Sequence, residues 1–147
     1  MLSKSAEYAL RAVMLIAQKS TEKKKMSLKE IAKAIGSPQA YTAKILQQLT
    51  TGVGIVQSVR GPNGGFYITD EAKMFPISSI LNAIGGCEWL NTCILGLSDC
   101  SEKRPCPLHS QYKHIKPKLI SMFENRTIAD LVKETAKEGI VLSSKKE

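Results

Sequence analysis

Residues 27 to 69 restrict the fold most, because two short amphipathic helices joined by a glycine turn run directly into a glycine-tipped hairpin. Ser27-Leu28-Lys29-Glu30 has the form of a capping box, in which Ser27 accepts from the Glu30 amide and Glu30 reaches back to the Ser27 amide. A helix should start there with Leu28, Ile31, Ala32 and Ile35 facing inward, and Gly36 suits a left-handed stop. Ser37 is then the expected N-cap of a second helix, with Pro38 at the first helical position, where its missing N–H costs nothing. That helix should reach about Leu49, with Tyr41, Ile45, Leu46 and Leu49 on one face and Gln39, Ala40, Ala43, Lys44 and Gln47 nearer the outside. Such a pair is a helix-turn-helix, whose second member fits a major groove. Ile55 to Arg60 reads as a strand, Gly61-Pro62-Asn63-Gly64 as a turn, and Gly65 to Thr69 as the returning strand. A hairpin in this place is a wing.

The flanking segments extend a mainly helical fold. From Ala6 to Lys19, the apolar positions Ala6, Ala9, Leu10, Val13, Met14 and Ala17 recur at helical spacing. After the wing, Pro76 precedes a short helix through Ile77, Ile80, Leu81 and Ile84, ended by Gly85-Gly86. Leu108, Tyr112, Ile115, Leu119 and Met122 step like a coiled-coil seam, either to meet a partner or to pack on the chain's own domain, and Pro117 implies a kink or break. Thr127 and Asp130 suggest the start of a last helix, and Ser143 to Glu147 a frayed polar tail. The fold class expected is mainly α with a small β-hairpin wing: a winged helix-turn-helix plus a long C-terminal dimerisation helix. The division follows as 1–75 for the winged helix, 76–86 for a connecting helix, 87–109 for a cysteine-rich loop, 107–125 for the long helix, and 126–147 for a final helix and tail.

Charge narrows the partners. The 147 residues carry a formal net charge of +8, and the positive field favours polyanions such as nucleic acid or anionic lipid. The run Lys23 to Lys25 is too short to read as more than a solvated loop. Glu7 and Arg11 interrupt the N-terminal apolar stretch, which excludes a signal peptide, and no apolar run approaches the ~20 residues of a membrane span. A cytoplasmic protein with no membrane partner is expected. No nucleophile and base are arranged for catalysis, so an enzyme is not expected.

The cysteines carry the remaining chemistry. All four, Cys87, Cys93, Cys100 and Cys106, are concentrated between positions 87 and 106. In a reducing cytosol such a group reads as metal ligands or redox thiols rather than structural disulfides. Cys93-x6-Cys100-x5-Cys106-x2-His109 offers three thiolates and an imidazole, which suit an iron-sulfur cluster or Zn²⁺. Zinc sites usually use Cys-x2-Cys knuckles, absent here, so the wide gaps favour the bulkier cluster. Lys103, Arg104 and Lys113 could offset thiolate charge or simply face solvent. Cys87, next to the glycine stop, stands apart from the others.

Tyr8-Ala9-Leu10-Arg11, Ala43-Lys44-Ile45-Leu46-Gln47-Gln48-Leu49, Ser58-Val59-Arg60-Gly61-Pro62-Asn63-Gly64-Gly65-Phe66 and Cys106-Pro107-Leu108-His109 together resemble the Rrf2 family of bacterial winged-helix regulators. The family includes regulators of iron-sulfur metabolism, nitric-oxide response and cysteine metabolism. The resemblance implies a homodimer on a pseudo-palindromic operator of double-stranded DNA, with a [2Fe-2S] or [4Fe-4S] cluster on Cys93, Cys100 and Cys106. The fourth ligand it implies is either His109 or Glu7 from the partner subunit. The first cysteine gap is one residue longer than in the best-known cluster regulators, and Ala43 replaces a base-reading acidic residue, so neither cluster type nor operator sequence carries over.

The candidate DNA-contacting residues are Ser37, Gln39, Tyr41, Lys44, Arg60, Asn63 and Gly64, with amide and amine groups suited to base edges and phosphates. Tyr41 also belongs to the apolar face and could pack instead. The function expected is sequence-specific transcriptional regulation that senses redox state, nitric oxide or iron-sulfur status. A DNA-binding regulator without a cluster, sensing through thiols, zinc or a small effector, is the alternative. An electron-transfer or metal-scaffold protein with a basic docking surface is the reading from a different class.

Overall fold

A computed structural model describes residues 2–143. Helix α1 (Lys4–Lys19) starts at Ser3, whose side chain accepts from the Ala6 amide. Its buried set is Ala6, Ala9, Ala12, Val13, Leu15, Ile16 and Ala17, while Leu10 and Met14 are only half-buried. The single stripe expected from spacing is therefore too narrow. Four later helices and one strand of the wing pack around α1, so neighbours cover more than one of its faces.

Helix α2 (Leu28–Ile35) has the predicted capping box, with Ser27 Oγ 3.1 Å from the Glu30 amide and Glu30 Oε2 3.2 Å from the Ser27 amide. At its end, Gly36 takes φ 71°, its amide donates to the Lys33 carbonyl, and the Ser37 amide donates to the Ala32 carbonyl at 3.0 Å. This double closure corrects the expected start of helix α3 (Gln39–Thr50). Ser37 is drawn inside by the turn and does not cap; Pro38 holds the cap position, and no side chain caps the helix. Arg11 braces the same corner. Its guanidinium lies 4.9 Å from the Tyr8 ring centroid and donates from Nη1 to the Ile35 carbonyl at 3.3 Å, where the end of α2 favours a cation.

The wing is shorter than expected. Strands β1 (Gln57–Val59) and β2 (Gly65–Tyr67) pair antiparallel, with Ser58 opposite Phe66. Ile55, Val56 and Ile68 leave the ladder because they turn into the core. Phe66 also exchanges backbone hydrogen bonds of 2.8 and 2.9 Å with Met26, a one-residue pairing with no periodicity to reveal it. Gly64 and Gly65 are sterically required. A Cβ on Gly64 would lie 2.1 Å from the Val59 carbonyl oxygen, and one on Gly65 2.6 Å from that of Met26.

Beyond the wing come a 3₁₀ turn (Ala72–Met74), α4 (Ile77–Ala83), α5 (Glu88–Asn91), α6 (His109–Glu124) and α7 (Ile128–Glu138). The 3₁₀ turn and α5 are too short to show a period in the sequence. Pro117 sits within α6 without ending it. It removes one donor, and the freed Lys113 carbonyl belongs to an exposed residue that water can reach. Thr127 and Asp130 form a full capping box at the start of α7. Of the tail expected from Ser143 to Glu147, all but Ser143 lies outside the described residues.

Helix α7 returns to pack on α1. Ile77, Ile80, Leu81, Phe123 and Ile128 join Ala9, Ile16, Ile45 and Leu49 in one hydrophobic core, so the core does not stop at residue 75. The return is fastened by backbone hydrogen bonds from Ile77 to Arg126 (2.9 Å) and from Ile128 to Phe75 (3.1 Å). Among the described residues, no helix is long and apolar enough to cross a membrane.

Ile128 is fully buried, so Ile128→Ala should cost about 3 kcal/mol through lost burial and the cavity left behind. Thermal denaturation should show one cooperative transition lowered by roughly 10 °C. An unchanged transition would mean that α7 lies outside the cooperative unit.

Candidate DNA-reading face and cysteine site

The outward side of α3 presents Gln39, Ala40, Lys44 and Gln47 to solvent, with Ala43 half-buried. Its inward side seats Thr42, Ile45, Leu46 and Leu49, and Thr42 Oγ1 donates to the Pro38 carbonyl at 2.9 Å. Tyr41 is committed to packing. Its hydroxyl is hydrogen-bonded to Ser5, and its ring meets Tyr8 edge-on at 5.6 Å. Ser37 is 9% exposed, with its hydroxyl donating to the Pro38 carbonyl. Gln39 and Lys44 thus stand on the exposed ridge, and Ser37 and Tyr41 beneath it. On the wing, Arg60, Pro62 and Asn63 are exposed. Gly64 donates its amide to the Gly61 carbonyl at 2.9 Å, which closes the tip.

The cysteine site is built by the segment between α5 and α6. The sulfurs of Cys93, Cys100 and Cys106 lie within 4.8 Å of one another, and those of Cys93 and Cys106 are 3.6 Å apart. Backbone amides converge on them at 3.4 Å, from Leu95 to Cys93 and from Cys106 to Cys100. His109, in the first turn of α6, places Nδ1 3.3 Å from Cys100 Sγ. Glu102 is the residue that sequence reasoning missed. Its carboxylate lies 3.4 Å from His109 Nε2 and 2.7 Å from Lys113 Nζ. Nothing marks it in the sequence, because the contact depends on how the loop folds over α6.

The thiols differ in acidity. The Leu97 amide above all, with help from the Leu95 amide and the neighbouring thiols, outweighs partial burial and brings Cys93 down to about 7. At Cys100 the Cys106 amide pulls downward, but burial and the hydrogen bonds to Cys93 and Cys106 carry the net shift upward. Lys113, then His109, hold the Glu102 carboxyl below its usual range. Lys113 is thus engaged by Glu102, while Lys103 and Arg104 are exposed.

A cavity of about 510 Å³ opens beside the three sulfurs, with Tyr112, Lys116 and Ile120 of α6 among its walls. Cys87 lines a separate, smaller cavity with Phe123 and Glu124, and burial, then Glu124, raises its pKa. Glu7 is on α1, paired with Lys4 at 3.2 Å, and does not line the cavity of its own chain. Three thiols and an imidazole whose donor atoms already converge fit a thiophilic metal or an iron-sulfur cluster.

A helix-turn-helix with a wing, joined through one core to a cysteine-bearing arm, defines a winged-helix DNA-binding regulator. The Rrf2 family, described as iron-dependent transcriptional regulator, matches residues 2–134, and the chain belongs to it. A protein of Aquifex aeolicus named as an HTH-type transcriptional regulator is 31% identical over 132 residues, covering 88% of this chain and 90% of the relative. Two solved structures share the fold. IscR of T. potens gives a TM-score of 0.71 at 24% identity, over 95% of this chain and 91% of that one. CymR, the global cysteine regulator of B. subtilis, gives 0.72 at 22% identity, over 92% and 98%. The relatives are named for transcriptional regulation, a non-enzymatic role.

In metal-free, reduced protein, Cys93 should be the fastest thiol to alkylate near pH 7. With its pKa at about 7, about half is thiolate there, against about 3% for an ordinary thiol near 8.5. Its rate should level off above pH 8, while that of Cys87 is still rising. Mass spectrometry of iodoacetamide-treated protein over a pH series reads this, and equal rates at Cys93 and Cys87 would contradict it.

Proposed function

We propose that the chain is a homodimeric, sequence-specific regulator whose grip on a pseudo-palindromic operator is set by ligation at Cys93, Cys100 and Cys106. The convergence of those three sulfurs within 4.8 Å carries the reading. A bound iron-sulfur cluster, [2Fe-2S] or [4Fe-4S], would supply a centre reactive toward oxidants and nitric oxide. His109 is the favoured fourth ligand because Nδ1 already stands beside Cys100, and Glu7 of the partner subunit is the alternative that the family pattern offers.

Residues 107–125 form the dimerisation helix in this reading. Leu108, Ile115 and Met122 recur every seven residues and are 40%, 51% and 50% exposed, an apolar row that pairing would remove from water. Ligation fastens the cysteine loop to the first turn of α6. Changes in the loop are thereby coupled to the crossing of two such helices and to the spacing of the two reading heads. Gln39 and Lys44 address the major groove, and Arg60 and Asn63 address phosphates or the minor groove, while Gly64, its amide bound to Gly61, shapes the wing tip that presents them. Ser37 and Tyr41 support that surface from beneath. Such a regulator works in the cytosol, where thiols stay reduced.

The 3.6 Å approach of Cys93 to Cys106 also favours a second reading, a regulator that uses bare thiols or Zn²⁺ at the same site. Anaerobic purification with iron, sulfide and zinc analysis, coupled to binding of the gene's own upstream DNA, separates the two. The cluster reading expects a coloured protein containing iron and sulfide, with DNA affinity that changes on oxidation. A colourless, iron-free protein with full, redox-insensitive binding would sink it. A monomer at micromolar concentration would remove the dimer.

Lys44→Ala and Arg60→Ala should each weaken DNA binding about tenfold without lowering Tm, since both residues are exposed. Arg60→Ala should also reduce the salt dependence by about one ion where the contact is to a phosphate. Fluorescence anisotropy at several salt concentrations checks both, and unchanged affinity would take these residues off the interface.

A further inference from the structure

We propose that Glu102, braced by Lys113, is a positioning residue that holds the His109 ring with its proton on Nε2 and the bare Nδ1 turned to the three sulfurs. Three contacts in series carry this. Lys113 Nζ lies 2.7 Å from Glu102 Oε1, which lies 3.4 Å from His109 Nε2, and His109 Nδ1 lies 3.3 Å from Cys100 Sγ. An ionised carboxylate offers only acceptors, so it selects the imidazole tautomer with Nε2–H and leaves a lone pair on Nδ1. A metal takes an imidazole by such a lone pair, and a carboxylate on the opposite nitrogen both aims the ring and raises its basicity.

The chain's geometry supplies the alignment economically. His109 and Lys113 stand four residues apart on α6, so they share one face of the helix. Glu102 reaches both from the spacer between Cys100 and Cys106. The spacer that separates two of the sulfurs therefore also carries the group that orients the imidazole. The His109 main chain is itself fixed, its amide donating to the Cys106 carbonyl at 3.0 Å. The inference rests on the metal-binding reading above, but its first readout needs no metal.

The test uses the full chain with ¹⁵N-labelled histidine, reduced, metal-free and anaerobic, at pH about 8.5, two units above the ordinary imidazole value. The sequence has two histidines, and H114Q assigns their signals. Long-range ¹H–¹⁵N spectra should show His109 with its proton on Nε2. E102A should give a mixture of tautomers, and E102Q should restore the Nε2–H form because its amide oxygen still accepts. The Glu102 side chain is 69% exposed, so these variants should keep the fold, which circular dichroism verifies. E102A should also bind Zn²⁺ about tenfold more weakly than the parent chain.

A proton on Nδ1 in the parent chain, or an E102A tautomer identical to it, overturns the inference. Equal Zn²⁺ affinity in parent and E102A overturns it while leaving the metal-binding reading intact. A parent chain that takes up neither iron nor Zn²⁺ overturns that reading and the ligand role of His109 together.

Discussion

The close approach of neighbouring elements to α1 governs the rest of the structure. Four of its seven buried residues are alanines, at 6, 9, 12 and 17. Small side chains let other backbones come near, so α2, α3, α4, α7 and β2 all find a surface on one helix. The larger buried groups are Val13, Leu15 and Ile16 of α1 itself together with those brought to it, such as Ile31, Ile45, Leu49, Leu81 and Ile128. The reading helix and the arm bearing the cysteines therefore share a rigid reference. Arg11 extends it to the corner of the helix-turn-helix by meeting the Ile35 carbonyl.

Features fixed by short-range chemistry were legible in the sequence. The Ser27–Glu30 and Thr127–Asp130 boxes and the Gly36 stop each depend on a few adjacent residues, and each stands where the residues imply. Long-range features were not legible. The Met26–Phe66 pairing joins residues 40 positions apart through backbone atoms alone, which leaves no side-chain signature. Ser37 has the composition of a cap, but the helix begins one residue later than expected, at Gln39, and the Ser37 hydroxyl donates to the Pro38 carbonyl instead. In α6 the apolar seam was visible, whereas the tolerance of Pro117 depends on the exposure of the turn before it.

The cysteine site shows the same split. Its sulfur set follows from local clustering of one residue type, and the structure brings all three sulfurs together. Their differing acidities could not be read, because they arise from how the loop sets main-chain amides, burial and thiol–thiol hydrogen bonds around each sulfur. Loop conformation distinguishes Cys93 from Cys100, although both are cysteines at comparable exposure. Glu102 was hidden for a related reason: an acidic residue in a polar loop gains a role only when the fold sets it between His109 and Lys113.

The backbone clasp between residues 75–77 and 126–128 has a further consequence. The segment that carries the cysteines, from α5 into α6, lies between two stretches that are joined backbone to backbone, so the chain leaves and returns at neighbouring points. Loop closure depends only weakly on the length enclosed. Insertions, deletions or a new ligand set in the exposed stretch between α4 and α6, outside the core residues Ile77, Ile80, Leu81 and Phe123, can therefore accumulate while the DNA-reading head keeps its shape. The clasp makes the cysteine-bearing stretch between α4 and α6 an exchangeable cassette, so one winged scaffold can carry different ligand sets there.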